Sequence, residues 1–306
     1  MSIFIISPNR DPKDWIESFK TQAPDIAVHT DLDAVNPKDI QLALVWNHQH
    51  GALQAFPNLK LISSMGAGVD HIFADDKRPQ VPVARVMGEA LTVSMSQYIL
   101  AAVLQYQRKF KEYALDQAAQ MWNQERGEHS QIKVGILGMG SLGLDAAMKL
   151  DQIGIEVIGY GRSAKSKTVV PYYHGDQLEE FLGQINVLVC LLPLTEETKD
   201  ILNINLFRKC QPGTYLINVA RGLHLVEDDL IKALNEGLLS GAFLDVFRKE
   251  PLEPNHPFWK HPQINITPHI ASVTKPALAV RDVIINYRNL QSGEKLINLA
   301  DPAAGY

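Results

Sequence analysis

The chain of 306 residues contains only two cysteines, Cys190 and Cys210. Their separation matches neither a CxxC redox pair nor a zinc-ligand pattern. Cys190 lies in the apolar run from Val187 to Leu192, which is typical of a buried strand. We therefore interpret it as a buried structural thiol and not as a reactive one.

Long hydrophobic runs and an excess of positive charge are also missing. The longest helix-like apolar stretch, residues 98–104, is too short to span a bilayer. The first residues are apolar, but no basic leader precedes them and Pro8 soon interrupts them, so they indicate a strand and not a signal peptide. The net charge of -5 argues against nucleic acid or a membrane as an obligatory partner. A cytoplasmic location is the natural expectation.

The remaining composition is that of a globular α/β protein. Hydrophobic residues make up 46% and charged residues 21%, and the length suits one large or two ordinary domains. Strand-like and helix-like segments alternate, which predicts parallel sheets covered by helices. The predicted strands are residues 3–6, 42–46, 61–64, 132–137, 155–160, 187–191, 215–218, 241–244 and 264–267. The predicted helices are residues 14–21, 89–109, 144–150, 227–235 and 276–290.

This alternation predicts two doubly wound domains, a flavodoxin-like substrate domain and a dinucleotide-binding Rossmann domain. We place the Rossmann domain at residues 99–274. The substrate domain takes residues 1–98 and 275–306, because the helix at 276–290 follows the completed second unit and is inferred to return to the first. We expect a cleft between the domains, with closure expelling water before reaction.

A glycine turn follows the predicted strand at 132–137 and precedes a helix-like segment, which is the context of a dinucleotide-binding turn. Its residues are Gly138, Met139, Gly140, Ser141, Leu142 and Gly143. The first glycine would permit the tight turn, the second the approach of the pyrophosphate, and the third close packing of helix on strand. The alternative is an ordinary tight turn.

The end of the next strand indicates which nicotinamide cofactor is used. An NAD site places a carboxylate there, whereas this chain has Arg162, Ser163 and Lys165. Glu156 has nearly the right spacing but lies inside the strand. Positive charge and a hydroxyl suit a 2′-phosphate, so we predict that NADP(H) is preferred and NAD(H) possible. The alternative is a solvated basic loop.

Arg221, Glu250 and His269 each follow a predicted strand, at the edge of the sheet where ligands bind. A guanidinium, a carboxylate and an imidazole suit the reduction of an anionic keto acid. Taken singly, the three would be read as a surface ion pair, a turn residue and a structural histidine. Their occurrence together favours a catalytic set.

These motifs resemble those of the D-isomer-specific 2-hydroxyacid dehydrogenases. The matching segments are residues 66–70, 138–143, 191–195, 218–222, 244–252 and 268–272. Trp46, the segment 65–70 and the loop 160–163 resemble most the bacterial glyoxylate/hydroxypyruvate reductases of the A type. Gly161 departs from NAD-preferring relatives, which carry an acid at this position.

The resemblance implies a role for each catalytic residue. His269 would protonate the carbonyl oxygen as a hydride reaches the carbon, and Glu250 would hold the imidazole and stabilise its charged form. Arg221 would grip the substrate carboxylate and polarise the carbonyl. No metal is needed, because the arginine and the histidine do the polarising.

The resemblance also implies further binding residues and an assembly. Asp245 would meet the nicotinamide carboxamide, and Trp46 would wall a small substrate pocket. The remaining cofactor contacts would be Leu192, Pro193, Val219 and Ala220, and the remaining substrate contacts Met65, Gly66, Ala67 and Gly68, with backbone N–H groups near Gly68 forming an anion nest. A homodimer is expected, in which Trp122 would reach the neighbouring site.

Two alternatives remain open at this point. One is a dehydrogenase for another 2-keto acid, of the phosphoglycerate or D-lactate type. The other is a dinucleotide-sensing binding protein similar to a transcriptional corepressor, since such proteins retain similar motifs. The NADP-type loop argues against the sensor.

Overall fold

The computed structural model describes residues 2–8, 10–128, 131–302 and 305. The chain divides into two compact units, the first formed by residues 1–91 with 273–306 and the second by residues 92–272. The boundaries predicted from the sequence, 98/99 and 274/275, lie a few residues later. The substrate-binding role expected for the first unit stays a prediction.

Twelve strands and nine α-helices are found in the described residues. The strands are β1 Ser2–Ile6, β2 Val28–His29, β3 Ile40–Val45, β4 Leu61–Ser64, β5 Val83–Ala84, β6 Lys133–Leu137, β7 Glu156–Gly161, β8 Tyr172–His174, β9 Val187–Cys190, β10 Thr214–Asn218, β11 Leu239–Leu244 and β12 Ile264–Ile266. The helices are α1 Lys13–Gln22, α2 Asp70–Phe73, α3 Glu89–Gln107, α4 Phe110–Ala118, α5 Ser141–Gln152, α6 Leu178–Leu182, α7 Ile204–Phe207, α8 Glu227–Asn235 and α9 Pro276–Ser292.

The first unit is built on a five-stranded parallel sheet with the order β2-β1-β3-β4-β5. Alternate residues of each strand enter two different cores, as the period of a strand requires. Ile3 and Ile5 of β1 pack in one core, and Phe4 packs in the other. The order reverses between β1 and β3, and this switch point is where doubly wound sheets bind ligands.

The C-terminal helix α9 belongs to this first unit although it follows the second in sequence. Its apolar residues Val280, Val283 and Tyr287 are buried in the same core as Trp15 and Phe19 of α1. The first unit is therefore made from two separate stretches of the chain.

The second unit is built on a seven-stranded parallel sheet with the order β12-β11-β10-β9-β6-β7-β8. Counted within the unit this is 3-2-1-4-5-6-7, the Rossmann order extended by one strand. Its switch point lies between β6 and β9, and the glycine turn follows β6. The two faces of the sheet carry separate cores, with Ile136 and Val189 on one side and Leu137 and Cys190 on the other.

The predicted fold class, two doubly wound α/β units with parallel sheets, is confirmed. Strands β2, β5 and β8 and helices α2, α4, α6 and α7 are not among the predicted elements. The three strands have only two or three residues each, too few for a period of two to be visible. Among the described residues, no helix is both long enough and apolar enough to cross a membrane.

Candidate functional site

The glycine turn joins β6 to α5 at the switch point of the second sheet. Gly138 has a φ of +102°, a conformation that side chains disfavour. A Cβ on Gly143 would lie 2.1 Å from the carbonyl oxygen of Gly138, so helix and turn approach too closely for any side chain. Beside Gly140, by contrast, nothing in the described part of the chain lies within 4 Å of the position that a Cβ would take. The turn is therefore tightly packed at Gly143 and open at Gly140.

Helix α5 is suited to an anion at its N-terminus. Its N-cap residue, Gly140, provides no side-chain hydrogen bond, and its first turn contains no acidic residue. The first N–H groups of a helix have no acceptor within the helix, and the macrodipole makes that end positive. The amides of Ser141, Leu142 and Gly143 are therefore suited to an anion, and their contact with a pyrophosphate stays a prediction.

Three positive or hydroxyl side chains follow β7, as the sequence analysis anticipated. Arg162 is exposed and forms a 3.5 Å ion pair with Glu197. Lys165 donates from Nζ to the carbonyl oxygen of Met139, which ties this loop to the glycine turn. The carbonyl of Ser163 accepts a 2.9 Å hydrogen bond from the hydroxyl of Tyr172. A basic loop therefore lies directly beside the proposed pyrophosphate site.

Two observations bear on the missing carboxylate of this loop. Glu156 is the first residue of β7, at the opposite end from Gly161, and it pairs with Lys133 at 2.6 Å. A Cβ on Gly161 would lie 2.3 Å from the Tyr172 hydroxyl oxygen. An acid at 161 would therefore require Tyr172 to move.

Arg221 follows β10, and its loop is fixed by buried polar groups. The side chain of Asn218, which is fully buried, donates to the carbonyl of Arg221 at 3.1 Å and accepts from the amide of Ala220 at 3.2 Å. The ring of His224, also fully buried, lies 3.1 Å from the same Arg221 carbonyl and 3.2 Å from that of Pro193. His224 thus packs the Arg221 loop against the loop after β9, a role that its sequence context does not reveal.

His269 and Glu250 form a direct pair in the second unit. Nδ1 of His269 lies 2.7 Å from Oε2 of Glu250, and both side chains are about one-third exposed, at 31% and 35%. The other carboxylate oxygen accepts from the amide of Phe247 at 3.0 Å. This geometry orients the imidazole and leaves Nε2 on the far side of the ring from Glu250.

The pKa of Glu250 is lowered from its usual value. Burial on its own would raise that pKa, but the hydrogen bonds from His269 and Phe247 and the nearby charges of His269 and Arg221 outweigh the burial. The carboxylate is therefore held ionised beside the imidazole.

Asp245 anchors the loop that carries His269. The carboxylate is 1% exposed and accepts hydrogen bonds from the Thr267 hydroxyl at 2.6 Å and from the amides of Ile270 and Ala271, both at 2.8 Å. The backbone carbonyl of Asp245 accepts from the amide of His269 at 2.9 Å. These bonds hold His269 in a left-handed conformation, with φ +56°.

Tyr98 of α3 extends this anchor. Its hydroxyl bonds to Oγ1 of Thr267, which donates its own proton to Asp245, so Tyr98 is the donor. Burial raises the pKa of Tyr98 and keeps the hydroxyl protonated. The expected contact of Asp245 with nicotinamide stays a prediction, and anchoring by Tyr98 and Thr267 was missed.

In the first unit, hydrogen bonds of the Ser64 side chain hold the loop after β4 in its conformation. The Ser64 hydroxyl accepts from the amide of Gly66 at 3.2 Å and donates to the carbonyl of Gly68 at 2.7 Å. The structure provides no acceptor, within the described residues, for the amides of Ala67, Gly68 and Val69. Three amides in succession make this loop suitable for an anion.

The two other predicted substrate residues differ in their surroundings. Trp46 follows β3 and is partly buried, and a Cβ on Gly66 would lie 2.9 Å from its Cζ3 atom. Met65 is only 2% exposed and its side chain packs in a core of the first unit. The indole therefore borders the loop, whereas the Met65 side chain supports it from within.

Two further features of the first unit were missed in the sequence. The guanidinium of Arg10 lies 4.4 Å from the ring centroid of Trp46, which is a cation–π contact. Nε2 of His48 lies 3.3 Å from Oδ2 of Asp75, and both side chains are fully buried. Desolvation dominates and lowers the pKa of His48, so a neutral imidazole pairs with an ionised carboxylate. His48 is therefore part of the packing of the first unit.

Comparison with protein families places this fold and site in a known class. Residues 100–271 match the family model described as the NAD-binding domain of D-isomer-specific 2-hydroxyacid dehydrogenases. That match covers more than half of the chain and includes the glycine turn and the Arg221, Glu250 and His269 positions. The chain belongs to the D-isomer-specific 2-hydroxyacid dehydrogenase family, a family of oxidoreductases. The resemblance and the nicotinamide dinucleotide domain expected from the sequence are confirmed.

Full-length relatives and solved structures agree with this assignment. The glyoxylate/hydroxypyruvate reductase A of Photorhabdus laumondii is 38% identical over 314 residues, and the match covers 100% of both chains. A D-isomer-specific 2-hydroxyacid dehydrogenase from Xanthobacter autotrophicus Py2, crystallised with NADPH and MES, has a TM-score of 0.94 at 34% identity, with 100% and 99% coverage. An NADPH-dependent glyoxylate/hydroxypyruvate reductase from Sinorhizobium meliloti, crystallised with NADP and sulfate, has a TM-score of 0.93 at 34% identity and full coverage of both chains.

Proposed function

We propose that this enzyme reduces small 2-oxo acids with NADPH, converting glyoxylate to glycolate and hydroxypyruvate to D-glycerate. The observation that carries the proposal is the pair of His269 and Glu250, which lies in the same unit as the glycine turn. An oriented proton donor and a dinucleotide site are the two elements that reduction of a carbonyl needs.

The second unit fits a dinucleotide well. The residues proposed to hold it are the glycine turn, the first turn of α5 and the loops after β9, β10 and β11, with Leu192, Pro193, Val219, Ala220 and Asp245. The open space beside Gly140 supports this proposal, because the pyrophosphate needs close contact with backbone at that point. The bound cofactor supplies the hydride, and the protein supplies position and charge.

NADPH is the preferred form in this proposal. Arg162 and Lys165 bring positive charge to the end of β7, and no carboxylate follows that strand. An arginine binds a phosphate bidentately, so Arg162 is the residue proposed to hold the 2′-phosphate. NADP and NADPH in the related Sinorhizobium and Xanthobacter structures support the same choice.

His269 provides the proton in the proposed reaction. Glu250 accepts from Nδ1, which leaves Nε2 as the nitrogen that gives its proton to the carbonyl oxygen of the substrate. The ionised Glu250 stabilises the positively charged imidazole before that transfer. Afterwards the histidine is neutral and takes up a proton from water.

Each unit contains one candidate for binding the substrate carboxylate, Arg221 in the second unit and the loop after β4 in the first. The guanidinium holds the carboxylate and withdraws charge from the carbonyl. Gly66, Ala67 and Gly68 belong to a loop of the first unit whose amides suit a carboxylate, and Trp46 borders that loop. Glyoxylate and hydroxypyruvate share this 2-oxo acid group, and the names of the relatives favour both.

Steady-state oxidation of NADPH and of NADH, with glyoxylate, hydroxypyruvate, pyruvate and a bulky 2-oxo acid, tests the proposal. We expect rapid turnover of glyoxylate and hydroxypyruvate with NADPH and slower turnover with NADH. Turnover of the bulky acid alone would assign the enzyme to another 2-oxo acid. Binding of NADPH without turnover of any acid would reject the reductase and favour a dinucleotide sensor.

The assembly is proposed to be a homodimer. Trp122 is 91% exposed, and the preceding apolar side chains Phe110, Leu115 and Met121 are 60%, 62% and 52% exposed. Four large apolar groups this close in sequence are typical of an interface, and we assign a second copy of the chain as the occupant. Light scattering coupled to gel filtration should give the mass of a dimer, and a Leu115→Glu variant should give a monomer. A monomeric wild-type protein would reject this assembly.

A further inference from the structure

The contact between Arg10 and Trp46 lies at the switch point of the first sheet. Arg10 follows β1 and Trp46 follows β3, the two strands between which the order reverses. Because all strands are parallel, both residues lie beyond carboxyl ends, at the edge where doubly wound sheets bind ligands. The loop 66–68 follows β4, the next strand along the same edge.

The backbone of Arg10 is held in a turn. Its amide donates to the carbonyl of Ser7 at 3.1 Å, and its carbonyl accepts from the Ser7 hydroxyl at 2.8 Å. The guanidinium lies against the indole of Trp46 at 4.4 Å from the ring centroid, and the ring of His71 lies 5.0 Å from the same indole. The turn therefore fixes the backbone of Arg10 after β1, and the indole of Trp46 is a contact of its guanidinium.

A guanidinium on an aromatic face can bind an anion at the same time. A guanidinium that stacks flat on a ring keeps its N–H bonds directed outward in the plane of the group. That plane matches the oxygen pairs of carboxylates and phosphates. Trp46 also borders Gly66, so the indole connects this cation to the loop proposed to hold the substrate carboxylate.

We infer that Arg10 is a specificity-determining residue that binds a second anionic group, carried on C3 of the 2-oxo acid. This inference rests on the proposed function, since it assumes that the first carboxylate lies at loop 66–68. It extends the substrate class from glyoxylate and hydroxypyruvate to 2-oxo acids with a carboxylate or a phosphate at their far end. Arg10 recognises the anionic oxygens, which both groups share.

Two matched pairs of substrates test this inference. Oxaloacetate differs from pyruvate by a carboxylate on C3, and 3-phosphohydroxypyruvate differs from hydroxypyruvate by a phosphate. The measurement is kcat/KM with NADPH for the wild type, Arg10→Gln and Arg10→Lys. Loss of a charge-assisted hydrogen bond should lower kcat/KM of Arg10→Gln by about 10- to 100-fold on the dianionic member of a pair. On the monoanionic member, kcat/KM should change by less than about threefold. On the dianionic member, kcat/KM of Arg10→Lys should lie between those of the wild type and Arg10→Gln.

Arg78→Gln is the control variant. Arg78 is also an arginine of the first unit that stacks on an aromatic ring, at 5.1 Å from the centroid of Phe73, but it precedes β5 and is not at the ligand-binding edge. For each pair of substrates, Arg78→Gln should leave unchanged the ratio of kcat/KM on the dianionic acid to kcat/KM on the monoanionic acid. If Arg10→Gln loses kcat/KM on oxaloacetate alone, the group that Arg10 binds is a carboxylate. If it loses kcat/KM on 3-phosphohydroxypyruvate alone, the group is a phosphate.

Equal losses on both members of each pair, or no loss on either, would overturn the inference and leave Arg10 as a support for Trp46. If the wild type turns over none of these acids, the proposed function fails first. Calorimetric titration with D-malate and D-lactate then decides about Arg10 separately. If the wild type binds malate more tightly than lactate and Arg10→Gln does not, the result would support Arg10 as the site of the second anionic group. Equal binding of the two acids by the wild type would reject this role.

Discussion

The Nδ1 atom of His269 lies 2.7 Å from Oε2 of Glu250, and the second carboxylate oxygen is held by the amide of Phe247. One carboxylate therefore connects the loop after β11 to the loop after β12. This connection fixes the direction of the imidazole before any substrate arrives. Both the proposed chemistry and part of the stability of this edge depend on it.

Glu250→Gln should reduce stability in a pH-dependent way. The pKa of Glu250 is lowered in the folded protein from an ordinary value of 4.5, so its contribution is complete above that value and is lost as the pH falls through the lowered pKa. The difference in unfolding free energy between wild type and variant should be largest at neutral pH and shrink below 4.5. Urea unfolding over this pH range measures it, with the exposed Glu180→Gln as a control for loss of a surface charge. A difference that stays constant down to low pH would contradict the linkage.

Thr267→Val should lower kcat without weakening cofactor binding. The variant keeps the shape of the side chain but removes the donor to Asp245 and the acceptor for Tyr98. The buried carboxylate then holds the His269 loop less firmly, and we expect kcat to fall by about tenfold.

Tyr98→Phe is the matched comparison, because it leaves the bond between Thr267 and Asp245 intact and should have a smaller effect on kcat. Fluorescence titration with NADPH should give dissociation constants within about twofold of wild type for both variants. A larger effect on NADPH binding than on kcat would assign Thr267 to the cofactor site.

Arg162→Gln should weaken the binding of NADPH far more than the binding of NADH. Removing a bidentate phosphate contact costs about 1.5–3 kcal/mol, which corresponds to a rise of about 10- to 100-fold in KM. Glu197→Gln should instead lower the KM for NADPH, because Glu197 pairs with Arg162 at 3.5 Å and competes with the phosphate. Equal effects of Arg162→Gln on both cofactors would reject the 2′-phosphate assignment.

A change of cofactor preference should need two substitutions. Gly161→Asp on its own brings a Cβ within 2.3 Å of the Tyr172 oxygen, so we expect a loss of thermal stability. Tyr172→Phe removes that oxygen, and the double variant should regain stability and favour NADH. Melting temperatures and the ratio of kcat/KM for the two cofactors measure this. Full stability of the single variant would show that Tyr172 moves without cost.

The sequence predicted the elements that have a clear period or a clear boundary. Strand β4 and helix α8 were predicted with the bounds that the structure has, because apolar runs and an acidic first turn mark them. Edge strands β2, β5 and β8 were missed, since a strand of two or three residues is defined by its neighbours and not by its own pattern.

Within the site, residues that follow strands were predictable and residues that act through others were not. Arg221, Glu250 and His269 stand in recognisable motifs at strand ends. The bonds of Asp245 to Ile270 and Ala271 are set by loop geometry, which no spacing in the sequence encodes. Arg10 was missed because its partner, Trp46, is distant in sequence and becomes its neighbour only through the order of the sheet.

The role of His269 as proton donor is tested by two measurements on His269→Ala, the rate of NADPH oxidation with hydroxypyruvate and the affinity for NADPH. Removing the proton donor should lower kcat by about 100- to 10,000-fold and leave the dissociation constant of NADPH within about twofold. Wild-type rates in His269→Ala would remove His269 as the proton donor and contradict the proposed chemistry.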